Sequence, residues 1–496
     1  MKRLNIRELL SGCEITDIPN ELDLSTPAKA MPLSEDVTSD ALLFLTERVS
    51  KENDTIDLSS LSTTPTAVVA SSKRTVENAP CPIIRVTNAR EALSYAIANQ
   101  CVINFNKIKF IGVTGTNGKT TTATLIYNIL ARCGYRVGFI GTGRIESCGK
   151  VLTDESYSMT TPDPTLLYPS IKRMQLDECE YVVMEVSSHS IALGKIAPIQ
   201  FEYAIFTNLD NDHLDFHRSK EEYFKTKLSL FSKAKHGLFN VDDEYGKRAY
   251  DEVSCEKTSF GIKGKADAYA TALDAKSLDE ISFFYREPEL IFKARTRLCG
   301  VFNAYNVLAA LKCVIDLGIK PCLAKEALYD IDGVDGRMEI IDGRVRAVID
   351  YAHTPMAFYN CLKTLKSSIN TEQKVIVVFG CGGDRDRGKR SVFGEYADIF
   401  ADVIVITEDN SRSEVFETIA ADIASGIKNK GYKIIKDREA AIRYAIKAAA
   451  RGDVVALIGK GHERYKITDV GYTPFDEREI VRDAMREDGV IYASRA

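Results

Sequence analysis

The stretch 109-KFIGVTGTNGKTTTATLIYNIL-130 decides how the chain must fold. Its first residues, with Phe110, Ile111 and Val113, form an apolar run of strand length. The Gly115-Thr116-Asn117-Gly118 turn follows, then Lys119-Thr120-Thr121 and apolar residues at helical spacing (Leu125, Ile126, Ile129, Leu130) up to Gly134. Strand, glycine loop and helix together make a phosphate cradle. Backbone N–H groups and the positive helix end face the anion, Lys119 adds a point charge, and a threonine hydroxyl is left for Mg²⁺. The position five before Gly118 is Val113 rather than glycine, so the loop is a variant of the usual G-x-x-x-x-G-K-[ST] spacing. A plain strand-to-helix turn with a surface lysine would not need both glycines and the flanking elements.

Around this loop the composition is that of an ordinary globular protein. The 496 residues exceed what one core organises, and roughly three domains are expected. A net charge of −5 gives no basic face for nucleic acid, and no apolar run reaches membrane-span length. Leu10-Ser11-Gly12-Cys13 mimics a lipoprotein cleavage box, but Arg7 and Glu8 interrupt the segment before it, so MKRLNIRELL reads as a first amphipathic helix. The twelve cysteines include no C-x-x-C pair, which fits reduced thiols in the cytoplasm better than a zinc ribbon or disulfide framework.

The expected organisation is three α/β units. Residues 1–106 carry short signals, a strand at 67–70, a helix at 88–100 and a polar loop at 50–64. Residues 107–335 alternate strands (135–140, 181–186, 201–206) and helices, the mark of a doubly wound, mostly parallel sheet, with a helix expected over 219–235. Residues 336–496 form a Rossmann-like unit with strands at 346–350, 375–379, 403–407 and 454–458. Ligands of such sheets gather at the carboxyl ends of strands, and there the polar motifs lie. Five of the six histidines (His189, His213, His217, His353, His462) fall in strand-end segments, and only His236 stands apart.

Glu185 ends its strand and is suited to share Mg²⁺ with Thr120. Asp212 and Asp215 flank His213, so a metal role and a helix-capping role are both open. The arginines of 380-GCGGDRDRGKR-390 (Arg385, Arg387, Arg390) are forks for carboxylate or phosphate. Asn410 and Arg412 of 408-EDNSRSE-414 suit an amino-acid carboxylate, and Glu463 of 459-GKGHE-463 suits an ammonium.

Taken together, these motifs resemble the Mur ligase family, in particular its members that add a diamino acid to a UDP-muramoyl dipeptide. The matching stretches also include MTTPD (159–163), MEVSSH (184–189), FTNLDNDHLDFH (206–217), FNAYNVLAA (302–310), GRMEI (336–340) and DYAHTP (350–355), in the family's order. The resemblance implies an N-terminal UDP-substrate domain, a central ATP-binding domain and a C-terminal amino-acid-binding domain. It implies ATP phosphates at Gly115, Thr116, Asn117, Gly118, Lys119, Thr120 and Thr121, with further nucleotide contacts from Asn306, Arg337 and Asp350. Thr120 and Glu185 are implied as ligands of one Mg²⁺ and His213 of a second. Lys227 stands where the family carries a carbamylated lysine, whose CO₂ adduct is a carboxylate able to bind Mg²⁺. Lys119, Lys227 and His213 are thus the implied catalytic set. Thr160, Thr161, Ser187 and Lys195 match contacts to the muramoyl dipeptide. Arg385, Asp409, Asn410, Arg412, Gly459 and Glu463 match the diamino-acid pocket. Ser34-Glu35-Asp36 stands where the family has D-S-R, Leu193 and Lys195 where it has Gln and Arg, and Ser411 where it has Pro.

The implied activity is an ADP-forming amide ligation through an acyl phosphate, with meso-diaminopimelate as the amino acid, in peptidoglycan precursor synthesis. The expected enzyme is a cytoplasmic monomer with small-molecule substrates, no nucleic-acid partner and no membrane insertion. Lysine in place of diaminopimelate, a different carboxylate acceptor, and a nucleotide-binding switch without ligase chemistry are the alternatives. The D-N-x-R arginine favours diaminopimelate, and the absence of an N-K-x-D guanine motif disfavours the switch.

Overall fold

The computed structural model describes residues 3–34, 36–46, 55–153, 159–213, 216–468 and 471–487. Glu35, residues 50–54 of the polar stretch, and Leu214 and Asp215 lie outside the described residues.

Three large sheets carry the described residues. The first has five strands in the order Ile15–Asp17, Ile83–Val86, Ala67–Ser71, Ala41–Phe44, Lys29–Pro32, backed by the helix Ala89–Gln100, which Asn88 caps. The expected first helix is one turn, Ile6–Leu9, held by an Asn5/Glu8 capping box. Within the stretch expected as loop, Ile56–Asp57 forms a short ladder with Val76–Glu77.

The second sheet has eleven strands, and its parallel centre holds the loop strand Lys109–Thr114 between Tyr181–Glu185 and Phe201–Phe206. These central strands are apolar and buried on both faces, as parallel strands covered by helices must be. The helix Lys119–Arg132 packs against Val301–Asp316 and ends at Gly134 (φ +91°), a left-handed stop open to glycine. Two antiparallel edges, Arg144–Ser147 with Lys150–Val151 and the Ala268–Asp274, Ile281–Glu287, Leu290–Thr296 meander, extend the sheet beyond the expected alternation. The helix expected over 219–235 is shorter. It runs Lys220–Leu228, tightens to 3₁₀ over Ser229–Lys233, and gives way to the strand Ala234–Asn240.

The third sheet orders Glu339–Asp342, Arg346–Asp350, Val454–Ile458, Val375–Phe379, Val403–Ile406 and Tyr432–Ile434, parallel except for its first pair. One continuous apolar cluster joins the N-terminal sheet to the outer face of the central one, from Leu42 and Ile97 through Tyr168 to Phe206. The first two units are thereby fixed to each other, and the third approaches them with its strand ends facing the phosphate loop.

Candidate active site

The loop geometry explains its glycines. Gly115 has φ +143°, and a Cβ there would stand 1.9 Å from Thr207 Oγ1; at Gly118 (φ +85°) it would stand 2.4 Å from Asn306 Oδ1. Gly115→Ala is therefore expected to distort the loop at a cost of about 1–3 kcal/mol and to weaken ATP binding, with an unchanged far-ultraviolet spectrum. A nucleotide titration of the variant checks this. Thr207 also accepts no slack: its hydroxyl donates to Asn117 O at 2.6 Å, and Asn208 Nδ2 donates to the same carbonyl at 3.0 Å.

Two lysines converge on this loop. Lys119 Nζ donates to Gly115 O (3.0 Å) and Thr116 O (2.8 Å), while Lys227 Nζ donates to Gly115 O at 2.8 Å from the opposite side. Burial pulls both ammonium groups below the ordinary lysine range, Lys227 far below it, and Lys119 adds like-charge repulsion to Lys227. Lys227 is 1% exposed and lies over the Tyr223 ring. Burial and Lys119 thus shift this lysine toward the neutral amine, the form that can add CO₂.

Thr120 Oγ1 donates to Glu185 Oε2 at 2.8 Å, and Arg337 Nη2 from the third sheet donates to Thr120 Oγ1 at 3.0 Å. Glu185 is fully buried, and Thr142 completes its shell through its amide (2.8 Å) and its hydroxyl (3.2 Å). Arg337 stacks over Tyr351, and its buried Nε has no hydrogen-bond partner. An unpartnered guanidinium N–H at a phosphate cradle calls for an incoming acceptor oxygen. Among the described residues no cluster of three or more His, Cys, Asp or Glu could hold a metal by itself. The hydroxyl–carboxylate pair of Thr120 and Glu185 nevertheless fits Mg²⁺, which takes few protein oxygens and completes its shell with phosphate and water.

His213 sits at φ +53° beside Asp212, with Nε2 3.4 Å from Asp212 Oδ2. Burial drives its imidazole down to about 3, leaving it neutral, as a metal ligand must be. Asp212 also faces His353 Nε2 at 3.7 Å, across from the third sheet. Burial opposes its charge, but the bond with His353 and the nearby His213 and Lys389 hold its carboxyl well below the usual range. Asp212 is thus a bridge between units rather than a helix cap. His189 packs edge-on to His213 at 4.8 Å.

The remaining expected residues fall into two groups. Thr160 and Thr161 lie beside Glu185: the hydroxyls of Thr142 and Thr160 are 3.1 Å apart, and Thr161 Oγ1 donates to Glu185 O (2.9 Å) and accepts from Ser187 N (3.2 Å). Lys195 pairs with Asp163 at 2.7 Å. Asn306 packs on Gly118 and accepts from Thr122 Oγ1 at 3.3 Å. Asp350 spends both oxygens on the amides of Met338 (2.7 Å) and Ala352 (2.8 Å), so it shapes the Arg337 turn.

At the C-terminal strand ends Asn410 is the hub, accepting from Lys460 Nζ and Ile467 N (2.9 Å each) and donating to Glu463 Oε2 at 2.8 Å. Burial and the neighbouring Asp409 raise the Glu463 carboxyl. Gly459 has φ +121°, and a Cβ there would stand 3.0 Å from Asp409 Oδ2. Arg412, at φ +52°, donates from Nη1 to Gly383 O at 2.6 Å.

Sequence reasoning missed Thr142 and Lys460. A lysine between two glycines at a strand end was the available signal for Lys460, which is fully buried. Arg390 of GCGGDRDRGKR turns inward instead of to a ligand, whereas Arg387 stays exposed. Arg390, fully buried, binds Glu414 (2.9 Å) and Asp422 (2.9 Å), and Arg387 binds Glu414 at 3.1 Å. Arg390→Ala removes the guanidinium from Glu414 and the more exposed Asp422 and leaves a cavity at a fully buried position; it is expected to cost about 1–3 kcal/mol, read as a lower urea midpoint for the C-terminal unit.

Comparison with known proteins places these residues in a family context. The family profile described as Mur ligase middle domain matches residues 113–314, and that described as Mur ligase, glutamate ligase domain matches residues 336–461. A curated relative from Clostridium acetobutylicum, UDP-N-acetylmuramoyl-L-alanyl-D-glutamate--2,6-diaminopimelate ligase 1, is 39% identical over 82% of this chain and 84% of its own. A ligase of the same name from Caldanaerobacter subterraneus is 40% identical over 82% of this chain and 84% of its own. A solved structure of a UDP-N-acetylmuramoyl-L-alanyl-D-glutamate--2,6-diaminopimelate ligase aligns with a TM-score of 0.64 at 26% identity, covering 98% of this chain and 99% of that one.

Proposed function

Because the chain belongs to the Mur ligase family, we propose that it joins 2,6-diaminopimelate to UDP-N-acetylmuramoyl-L-alanyl-D-glutamate at the expense of ATP, in peptidoglycan precursor synthesis. The observation that carries this reading is the junction of Thr120, Glu185 and Arg337, where the phosphate loop meets the third sheet and one guanidinium N–H waits for an acceptor. Such a junction lets the nucleotide's phosphate be gripped by both units at once. The identity shared with the diaminopimelate ligases over four fifths of the chain supports the choice of substrates.

The acceptor carboxylate attacks the γ-phosphorus, and ADP leaves; the amine of the amino acid then displaces phosphate from the acyl phosphate to give the amide. Lys119 and the loop amides hold the phosphoryl oxygens in line and offset their charge, which is most of what phosphoryl transfer requires of a protein. Mg²⁺ held by Thr120 and Glu185, and a second ion by His213 with carbamylated Lys227, would neutralise phosphate charge. Thr160, Thr161, Ser187 and Lys195 orient the dipeptide. Arg385, Asp409, Asn410, Arg412, Gly459 and Glu463 present the amino acid, the raised Glu463 carboxyl lying where an amine arrives. In this reading residues 1–106 take the UDP end of the acceptor, 107–335 the ATP and 336–496 the amino acid, in a cytoplasmic monomer. Among the described residues no helix is long and apolar enough to cross a membrane.

Phosphate release from Mg-ATP and the UDP-muramoyl dipeptide, with diaminopimelate, lysine or no amino acid, tests the reading. Release that depends on diaminopimelate is expected. Equal release with lysine, or none with either, overturns it. Arg412→Ala is expected to raise KM for diaminopimelate by about a hundred-fold, the cost of unpairing a desolvated carboxylate, and to leave KM for ATP within about three-fold.

A further inference from the structure

Away from the phosphate loop, two cysteines face each other across the base of the central sheet. Cys148 Sγ and Cys179 Sγ lie 3.5 Å apart although 31 residues separate them in sequence. Cys148 is exposed and Cys179 is buried. Around them Ser147 Oγ donates to Asp177 Oδ2 at 2.6 Å and lies 3.7 Å from Cys179 Sγ, while Cys148 Sγ lies 3.9 Å from Asp177 O.

The turn that bears Cys148 makes this placement more telling. Ser147 pairs with Lys150, so Cys148 and Gly149 are the two loop residues of a hairpin, with φ +49° and +80°. Both φ values are positive, as in the type I′ turn, where Asn-Gly or Asp-Gly serves best. Cysteine in that first position is strained relative to Asn, and its sulfur is what it offers in return.

We propose that Cys148 and Cys179 form a reversible oxidation site, closed to an intrachain disulfide by low-molecular-weight disulfides. The exposed Cys148 thiolate attacks one sulfur of the small disulfide and expels one small thiolate. Cys179 then attacks the Cys148 sulfur of the mixed disulfide, and its proton departs with the second small thiol. Two protein thiols lose two electrons, and the small disulfide becomes two thiols. Burial raises the Cys179 thiol to about 12, so it remains a thiol until this second step, and Cys148 is the point of first attack. Closed, the bridge staples the hairpin strand Arg144–Ser147 to the foot of the strand that ends in Glu185.

The test exposes the full-length protein to glutathione disulfide, then alkylates and digests it without reduction for mass spectrometry. The expected result is the loss of two alkylatable thiols, a linked Cys148–Cys179 peptide pair, and full recovery with dithiothreitol. Cys179→Ala should instead trap a stable glutathione adduct at Cys148. Cys148→Asn, whose new side chain suits the left-handed turn, should fold with a normal melting curve and show no link at Cys179. The exposed Cys322 serves as an internal control. Cys148 left fully alkylatable while Cys322 collects adduct, or no adduct on Cys148 in the Cys179→Ala variant, overturns the proposal.

Discussion

Lys119→Ala is expected to lower kcat by about a thousand-fold, the loss typical when one preorganised donor to developing charge is removed. The ammonium is already seated on the carbonyls of Gly115 and Thr116, so it needs no rearrangement when phosphate arrives. Its depressed proton affinity reflects a site short of water, where a single charge counts for more than at the surface. Lys119→Arg should not restore the rate, because the planar fork cannot occupy the space of a point charge between two carbonyls. Single-turnover ADP formation at saturating substrates measures the effect. A Lys119→Ala variant within about ten-fold of the parent would remove the phosphate-loop assignment.

Lys227→Ala is expected to be nearly as damaging, by roughly a hundred- to a thousand-fold, and the parent enzyme should lose activity in CO₂-free buffer and regain it with bicarbonate. The reasoning is local. Burial and the charge of Lys119 shift this lysine toward the neutral amine, and an amine adds CO₂ with loss of a proton to give a carboxylate-like group. The same depression has a stability consequence with a definite sign. The folded chain binds this proton less tightly than the unfolded one, so the penalty is absent above the unfolded lysine value of about 10.4 and grows as pH falls toward the lower folded value. Lys227→Met should therefore melt at or above the parental temperature in CO₂-free neutral buffer while remaining inactive. A destabilised Lys227→Met protein would show that the lysine is held as a structural charge.

What the sequence made legible follows the range of the interactions. The loop, its strand and its helix are encoded within twenty-two consecutive residues, and they stand where the spacing put them. The parallel strands were readable because burial on both faces leaves continuous apolar runs. The meander over residues 268–296 was not, because half-exposed antiparallel edge strands alternate and are interrupted by turns. At the site, Asn306 and Arg337 were found only by resemblance, since nothing local marks an asparagine inside an apolar helix or an arginine after a glycine as facing a loop some two hundred residues away. Asp212 bridging to His353 and the Lys460–Asn410 contact also depend on how units meet. Arg390 was misread for the same reason: its counter-charges, Glu414 and Asp422, arrive from another turn of chain.

The register of one strand links folding to chemistry. Val182, Met184 and Val186 point into the core shared with the N-terminal unit, whereas Tyr181 and Val183 point toward the phosphate-loop helix. With apolar residues on both sides, a slip of one position past Val113 and Phe139 would disturb little hydrophobic burial. Glu185 breaks that near-degeneracy. Slipped, its carboxylate would leave Thr120 and Thr142 and enter an apolar interior without partners, a cost of at least several kcal/mol. The acid proposed above as a Mg²⁺ ligand also marks the alignment of the sheet, so a variant such as Glu185→Leu would lose a safeguard against misregistered folding.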